Sequence, residues 1–179
     1  MVMSKKVLIL AGSPRKGGNS DILCDAFLRG AEEAGHSVEK IWLQSKKINN
    51  CLACYGCRET GICVQKDDAN AIIAKMLEAD VIVLATPVYF YSMSAQMKAI
   101  IDRSVSKWTE ITNKEFYFIA TAAEHKASME RTMDALAGFT DCLTDAVVKG
   151  KIYGEGVYEK GAIKATPAVE EAYQMGKAI

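Results

Sequence analysis

Four of the chain's six cysteines stand within thirteen residues, at Cys51, Cys54, Cys57 and Cys63 in the stretch CLACYGCRETGIC. Thiols at this spacing can ligate a cluster of iron and sulfur, grip zinc, close disulfides, or remain four reduced thiols. A run of three at intervals of three is close to ferredoxin-like 4Fe-4S ligation. Structural zinc usually draws on two ligand pairs separated by a longer loop. Gly56 and Gly61 supply the backbone freedom that wrapping a centre needs, and the arm RETGI can bring Cys63 to a fourth corner. No proline follows the fourth cysteine, where bacterial ferredoxin runs carry one.

A second constellation is GSPRKGGNS, from Gly12 to Ser20. Gly12 allows a turn, while Gly17 and Gly18 let backbone approach a ligand. Ser13, Asn19 and Ser20 supply donors, and Arg15 and Lys16 add positive charge. Gly12 and Gly17 have the spacing of a Walker A loop, but Gly18-Asn19 replace its Lys-Ser/Thr. The dinucleotide fingerprint fails too, because Ala11-Gly12-Ser13 lacks the second glycine. What remains is a hydroxyl-rich loop for one terminal phosphomonoester, as a mononucleotide such as FMN presents. The competing interpretation is a plain strand-to-helix turn with its basic residues in water.

A third stretch, TPVYFYSM from Thr86 to Met93, places three consecutive aromatics beside an apolar run. Flat apolar surface of this kind suits a planar ring or a partner subunit. Other candidates are weaker. Lys98 and Asp102 lie at i and i+4 with Arg103 next to them, in the less favourable charge order, and read as a solvated face. His36 falls in a turn, His125 stands alone, and Cys24 and Cys142 lie in or beside apolar helical stretches as buried thiols. No Ser–His–Asp set or paired-carboxylate pattern stands out. That fits a protein whose cofactor carries the chemistry.

These residues must be positioned by a chain of 179 residues, half apolar and a quarter charged, which reads as one globular domain over 1–179. Lys plus Arg equals Asp plus Glu at 22 each, so no basic excess points to nucleic acid or anionic lipid. The run Val7 to Ala11 is too short for a secretion signal, and no stretch approaches the ~20 apolar residues of a membrane span. The expected location is the reducing cytoplasm, where stable disulfides do not persist. Cluster, zinc and bare thiols stay open for the cysteine loop.

The elements alternate. Val7–Ala11 is an apolar run ending at Gly12, and a helix follows from a cap at Asn19 or Ser20 to Gly35. SVEKIWL alternates as a second strand, and Asp67 and Asp68 can cap the next helix. Asp80–Ala85 is the clearest strand, with TPVYFYSM as a loop and a helix from about Ser94 to Ser106 behind it. EFYFIATAA, a helix over about 126–139, DAVVKGKIYG and a last helix begun by Thr166-Pro167 complete the set. GEGVYEKGAIKATP reads as a surface loop. Strand–helix alternation repeated five times predicts an α/β fold: a doubly wound, five-stranded parallel sheet in the flavodoxin-like order 2-1-3-4-5. Ligands of such folds bind at the carboxyl ends of the strands, which favours the phosphate reading of GSPRKGGNS.

Taken together, GSPRKGGNS, CLACYGCRETGICVQKDD, ATPVYFYSMSAQMKAIIDR and the five-fold alternation resemble the NADPH-dependent FMN reductase family, and within it the iron–sulfur flavoproteins. The resemblance runs from about Val7 to Arg103. It implies that Ser13, Arg15, Asn19 and Ser20, with Gly18 between them, hold the FMN phosphate. It likewise implies that Pro87, Val88, Tyr89 and Phe90, following Thr86, flank the isoalloxazine ring. The family's Gly-rich turn after the fourth strand is replaced here by TAAEHKAS, so no contact is carried over to Thr121–His125. Compact four-cysteine motifs occur in the iron–sulfur flavoproteins, which makes Cys51, Cys54, Cys57 and Cys63 the ligand set for a 4Fe-4S cluster if one is held.

The resulting expectation is an FMN-dependent oxidoreductase, assembled as a homodimer or homotetramer. It would take hydride from NAD(P)H and pass electrons to a small acceptor such as a quinone or flavin. Two alternatives are an iron–sulfur flavoprotein fed by ferredoxin and a non-catalytic FMN-binding module.

Overall fold

Why the sheet is parallel and central can be read from burial in the computed structural model, which describes residues 3–179. Strands β1 (Lys6–Ala11), β3 (Val81–Pro87) and β4 (Glu115–Thr121) are buried along nearly their whole length. Strands apolar on both faces must be covered on both faces. β2 (Ser37–Trp42) and β5 (Val147–Gly154) alternate instead and take the two edges. The observed order is β2-β1-β3-β4-β5, with every adjacent pair parallel, as the alternation predicts.

One face presents Leu8, Leu10, Ile82, Leu84, Phe116 and Phe118 to helices α2 (Ala69–Glu78), α3 (Ala95–Arg103) and α4 (Lys126–Thr140). The other presents Val7, Ile9, Val81, Val83, Tyr117 and Ile119 to α1 (Asn19–Glu33) and α5 (Ala168–Lys177). α1 and α5 approach through glycine: a Cβ on Gly30 would lie 2.1 Å from the Tyr173 carbonyl oxygen, and one on Gly176 equally close to that of Phe27. Among the described residues no helix is long and apolar enough to cross a membrane.

Most boundaries agree with the sequence reading, and the differences have causes. β3 continues through Thr86 and Pro87, because parallel pairing with Ala120 and Thr121 of β4 extends past the apolar run. α3 stops at Arg103, and Ser94 is its cap, accepting from the Met97 N–H at 3.3 Å. Cys142, expected to be buried, is exposed because the chain has already left α4 at Thr140. Cys24 is buried as expected, and desolvation pushes its thiol pKa far up, so it stays protonated and inert. His36 ties the amino-terminal strand to the chain end. Its ring lies 3.2 Å from the Lys5 amide nitrogen and 3.1 Å from the Ile179 carbonyl oxygen.

Candidate functional site

At the carboxyl ends of β1, β3 and β4 the loops are knitted together by backbone. Gly12 N–H donates to Ala85 O at 2.7 Å, Val88 N–H to Thr121 O at 2.8 Å, and Ala122 N–H to Gly154 O at 2.9 Å. The loop after β1 is then braced from three directions. Trp42 Nε1 donates to Ser13 O at 2.7 Å, Ser94 Oγ to Gly12 O at 2.8 Å, and Gly17 N–H to Asp21 Oδ2 at 2.7 Å. Gly17 needs its missing Cβ, since its φ is +67°. Asp21 would be an unwelcome anion here, but Lys40 pairs with it at 2.9 Å and also contacts Asp25. Burial opposes the charge on Lys40, yet the bonds from both carboxylates win and raise its pKa.

α1 starts after Gly18 with no side chain capping its first-turn N–H groups. Those donors and the positive end of the helix face a shallow pocket of about 190 Å³. A Cβ on Gly18 would meet the Arg15 carbonyl oxygen at 2.8 Å and Ser13 Oγ at 3.2 Å, so the cradle closes only around glycine. This arrangement fits the terminal phosphate of a mononucleotide. Beside it, Pro87, Val88 and Tyr89 make an apolar wall on which a flavin ring can lie.

The structure brings together eight of the ten residues expected at this site: Ser13, Arg15, Gly18, Asn19, Ser20, Pro87, Val88 and Tyr89 all line the pocket. Thr86 does not. It is fully buried, accepting from Ser94 N–H at 2.8 Å and donating to Pro87 O at 2.8 Å, so it braces the wall from behind. Phe90 also lies outside the pocket, fully exposed at the tip of a two-residue turn. Tyr89 and Ser92 exchange both backbone hydrogen bonds across that turn, at 2.9 and 3.0 Å. Phe90 and Tyr91 between them take φ of +49° and +62°, a mirror-image turn that normally calls for Asn-Gly.

Asn19 lines the pocket but spends its side chain elsewhere. Nδ2 donates to Val157 O and Glu159 O at 3.3 and 3.0 Å, and Oδ1 accepts from Gly161 N–H and Ile163 N–H at 2.9 and 3.3 Å. All four of its hydrogen-bonding positions are filled. It therefore staples the segment after β5 across the phosphate loop, bringing Tyr158 and Lys160 into the pocket. Lys160 Nζ lies 3.8 Å from the position of a Cβ on Gly17. Thr121, Ala122 and Ala123 also line the pocket. The stretch expected only as a surface loop thus supplies a cation, and nothing local in its sequence marks it.

The cysteine loop is built differently. All four of its cysteines line one pocket of about 600 Å³ together with Tyr55, Arg58, Arg103 and Trp108. Cys51 and Cys54 are exposed, and Cys57 and Cys63 are half-buried, as free thiols. Ala53 and Tyr55 have φ of +49° and +59°, on either side of Cys54, although neither is glycine. Among the described residues no three His, Cys, Asp or Glu side chains converge to hold a metal ion. Four thiols walling one pocket supply the donor type and number that a 4Fe-4S cluster takes.

Arg103 was expected on a solvated face. Instead it is fully buried behind this pocket in a bidentate pair with Asp67, both side chains 0% exposed. Its two terminal nitrogens reach the carboxylate at 2.7 and 3.0 Å, and Nη1 also donates to Asn49 O at 2.9 Å. Burial resists both charges, but the pairing overrides it, holding the Asp67 carboxyl below its usual pKa and the guanidinium above its own.

The fold and the site define the class: a doubly wound, flavodoxin-like protein with its pocket where the strand order reverses. Residues 5–154 match the family model described as NADPH-dependent FMN reductase. An iron–sulfur flavoprotein of Archaeoglobus fulgidus is 45% identical over 98 residues, spanning 55% of this chain but only 44% of its own length. One from Methanocaldococcus jannaschii is 38% identical over 136 residues, 75% of this chain and 70% of the relative. The chain belongs to the NADPH-dependent FMN reductase family, in its iron–sulfur flavoprotein branch. Among solved structures, an NAD(P)H:quinone oxidoreductase from Methanothermobacter marburgensis superposes with a TM-score of 0.78 at 17% identity, over 98% of this chain and 96% of that one. An azoreductase from Bacillus anthracis gives 0.78 at 19% identity over 99% and 100%. These two likenesses establish the shared fold.

Proposed function

We propose that this protein is an FMN-dependent NAD(P)H oxidoreductase that passes electrons to a small acceptor such as a quinone or flavin. The observation that carries the proposal is the preformed cradle at Gly18, open to an uncapped helix end and set against the Pro87–Tyr89 wall. The bound flavin would accept hydride and release electrons, and the chain's own task is to hold it. Ser13, Ser20 and the first-turn N–H groups bind the phosphate, with Arg15 and Lys160 balancing its charge. Pro87, Val88 and Tyr89 orient the ring and keep water from one face. The pocket has no acid–base pair, and hydride chemistry on a flavin needs none.

A pocket of about 190 Å³ is smaller than the 300–1,000 Å³ in which cofactors are usually enclosed. The remaining cover is expected from a second copy, making a homodimer or homotetramer, each chain contributing one FMN domain over 1–179. The exposed, strained Phe90-Tyr91 turn at the same end supports this assembly. The proposed location is the cytoplasm, a reading supported by four free thiols in one loop, which suit a reducing compartment.

A second reading is favoured by the cysteine pocket and by the relatives' names: a 4Fe-4S cluster on Cys51, Cys54, Cys57 and Cys63, with electrons arriving from a ferredoxin. Anaerobic protein is the test of both readings. Bleaching of the flavin bands by NADH or NADPH supports the oxidoreductase. Bleaching by reduced ferredoxin alone, with iron and acid-labile sulfide present, supports the second reading. Bound FMN that neither donor reduces would leave a non-catalytic binding module.

A further inference from the structure

The buried Arg103 is not fully used by the fold. Two of its nitrogens serve Asp67 and Asn49, yet Nε is buried with no hydrogen-bond partner. A buried donor on a charged group left unpaired is among the costlier defects a core can carry, so an unpaired one calls for a partner that arrives later. Arg103 and Cys63 line the same pocket, and after Asp67 the Cys63 side chain is the other acidic group beside the guanidinium.

Cys63 is also the one cysteine of the four with a rigid mount. Asn70, in the first turn of α2, accepts from the Cys63 N–H at 3.2 Å and donates to its carbonyl oxygen at 2.9 Å. Asp67 sits one turn earlier, and its Oδ1 also receives the Ala69 N–H at 3.1 Å. Backbone clamp and guanidinium are thereby fixed to the same helix start. Cys51 and Cys54 have no such support and stand in water.

We infer that Arg103 is a positioning residue for the cysteine centre, its Nε–H donating to the sulfur of Cys63 when that sulfur is a ligand thiolate. The inference rests on the cluster reading above. Hydrogen bonds to ligand sulfurs disperse their negative charge and favour the reduced, more negative state of a cluster. Cys63 is thus the fixed corner of the site, and Arg103 sets how readily the centre accepts an electron. Asp67 keeps the guanidinium oriented without claiming its Nε.

The decisive variant is R103K in full-length protein reconstituted anaerobically with iron and sulfide. Lysine keeps a charge beside Asp67 but has no Nε and no fork, so the bond to sulfur is deleted together with one arm of the Asp67 pair. Iron content and FMN occupancy check that the fold survives. The expected result is unchanged iron content and FMN occupancy, with the cluster's reduction potential lower by about 59 mV, a tenfold change in a one-electron equilibrium. An intact cluster at the wild-type potential overturns the inference and leaves the cluster reading standing. Wild-type protein that takes up no iron or sulfide overturns both.

A second measurement avoids any folding defect in the variant. In wild-type and R58K protein grown on ¹⁵N-arginine, pulsed electron paramagnetic resonance of the reduced cluster should show a ¹⁵N coupling. The coupling should survive R58K, because Arg58 is the other arginine lining the pocket. Its absence from wild-type protein, or its loss in R58K, overturns the inference.

Discussion

The two loops at the ligand end of the sheet solve opposite problems. The phosphate loop is finished before any ligand arrives. Trp42, Ser94, Asp21 and the Asn19 staple fix it from several sides, and Ser13, Arg15, Gly18, Asn19 and Ser20 line one pocket. The cysteine loop is anchored mainly where it meets α2, at Cys63, Asp67 and Asp68. From Cys51 to Gly56 it is exposed and takes left-handed backbone at two residues with side chains. A site made of backbone N–H groups can be preorganised at low cost, since those groups must be satisfied somewhere in any case. A set of four thiolate ligands, as proposed for the cysteine loop, cannot, because converging thiolates repel one another without a metal between them. The same fold therefore carries one loop braced on several sides and one held mainly at its α2 end.

The largest test of this contrast is D67A. It strips the partner from a fully buried guanidinium, and breaking such a pair costs about 3–5 kcal/mol. Urea denaturation should show that loss. The FMN affinity of the folded fraction should stay at the wild-type value, because Asp67 braces only the cysteine side. The pair also imposes a pH dependence of known sign. The Asp67 carboxyl is depressed in the folded state, so its contribution is complete above the unfolded value of about 4 and disappears as pH falls through the lower folded value. Wild-type protein should lose stability over that acid range more steeply than D67A.

R15A comes next, and it should do the reverse. A hydrogen bond to a charged group is worth about 1.5–3 kcal/mol, so FMN should bind roughly ten- to a hundred-fold more weakly. Arg15 is exposed on a loop held by other residues, so the denaturation midpoint of FMN-free protein should not move. Flavin-fluorescence titration reads the first quantity and urea the second. An unchanged affinity would remove Arg15 from the phosphate site.

The contrast also explains what the sequence made legible. Strand order follows from local periodicity and agrees with the structure, while the first helix, expected to be capped by Asn19 or Ser20, has its N-cap one residue earlier, at Gly18. Side-chain partners do not follow, because they depend on distant residues. Asn19 reads locally as a phosphate donor, yet its partners lie at Val157–Ile163, more than a hundred residues on. Thr86 stands beside ring-facing residues but points the other way, since successive strand residues alternate faces. Arg103 follows an exposed Lys–Asp pair on α3, and only the approach of Asp67, 36 residues earlier, shows which face it takes. Lys160 lies in a stretch without pattern, and it reaches the pocket because the Asn19 staple and the backbone bonds of Gly156 and Val157 to Glu124 and Ala122 fold that stretch over.

The smallest expected effect concerns the aromatic turn, which belongs to neither loop and lies at the rim of the flavin pocket. Phe90 is fully exposed with φ of +49°, so within one chain it has strain and no compensating contact. Left-handed backbone costs a residue with a side chain about 1–2 kcal/mol, and asparagine tolerates it better than most. F90N should therefore stabilise the dilute, monomeric chain by up to about 1 kcal/mol in urea. If the turn seats Phe90 on a second subunit, the same substitution should weaken assembly, seen as a shift toward monomer in sedimentation equilibrium at micromolar concentration. Stabilisation with unchanged assembly would separate the strain from the interface and leave the turn without its proposed partner. A loss of stability in the dilute chain would mean that Phe90 is held by contacts within its own subunit.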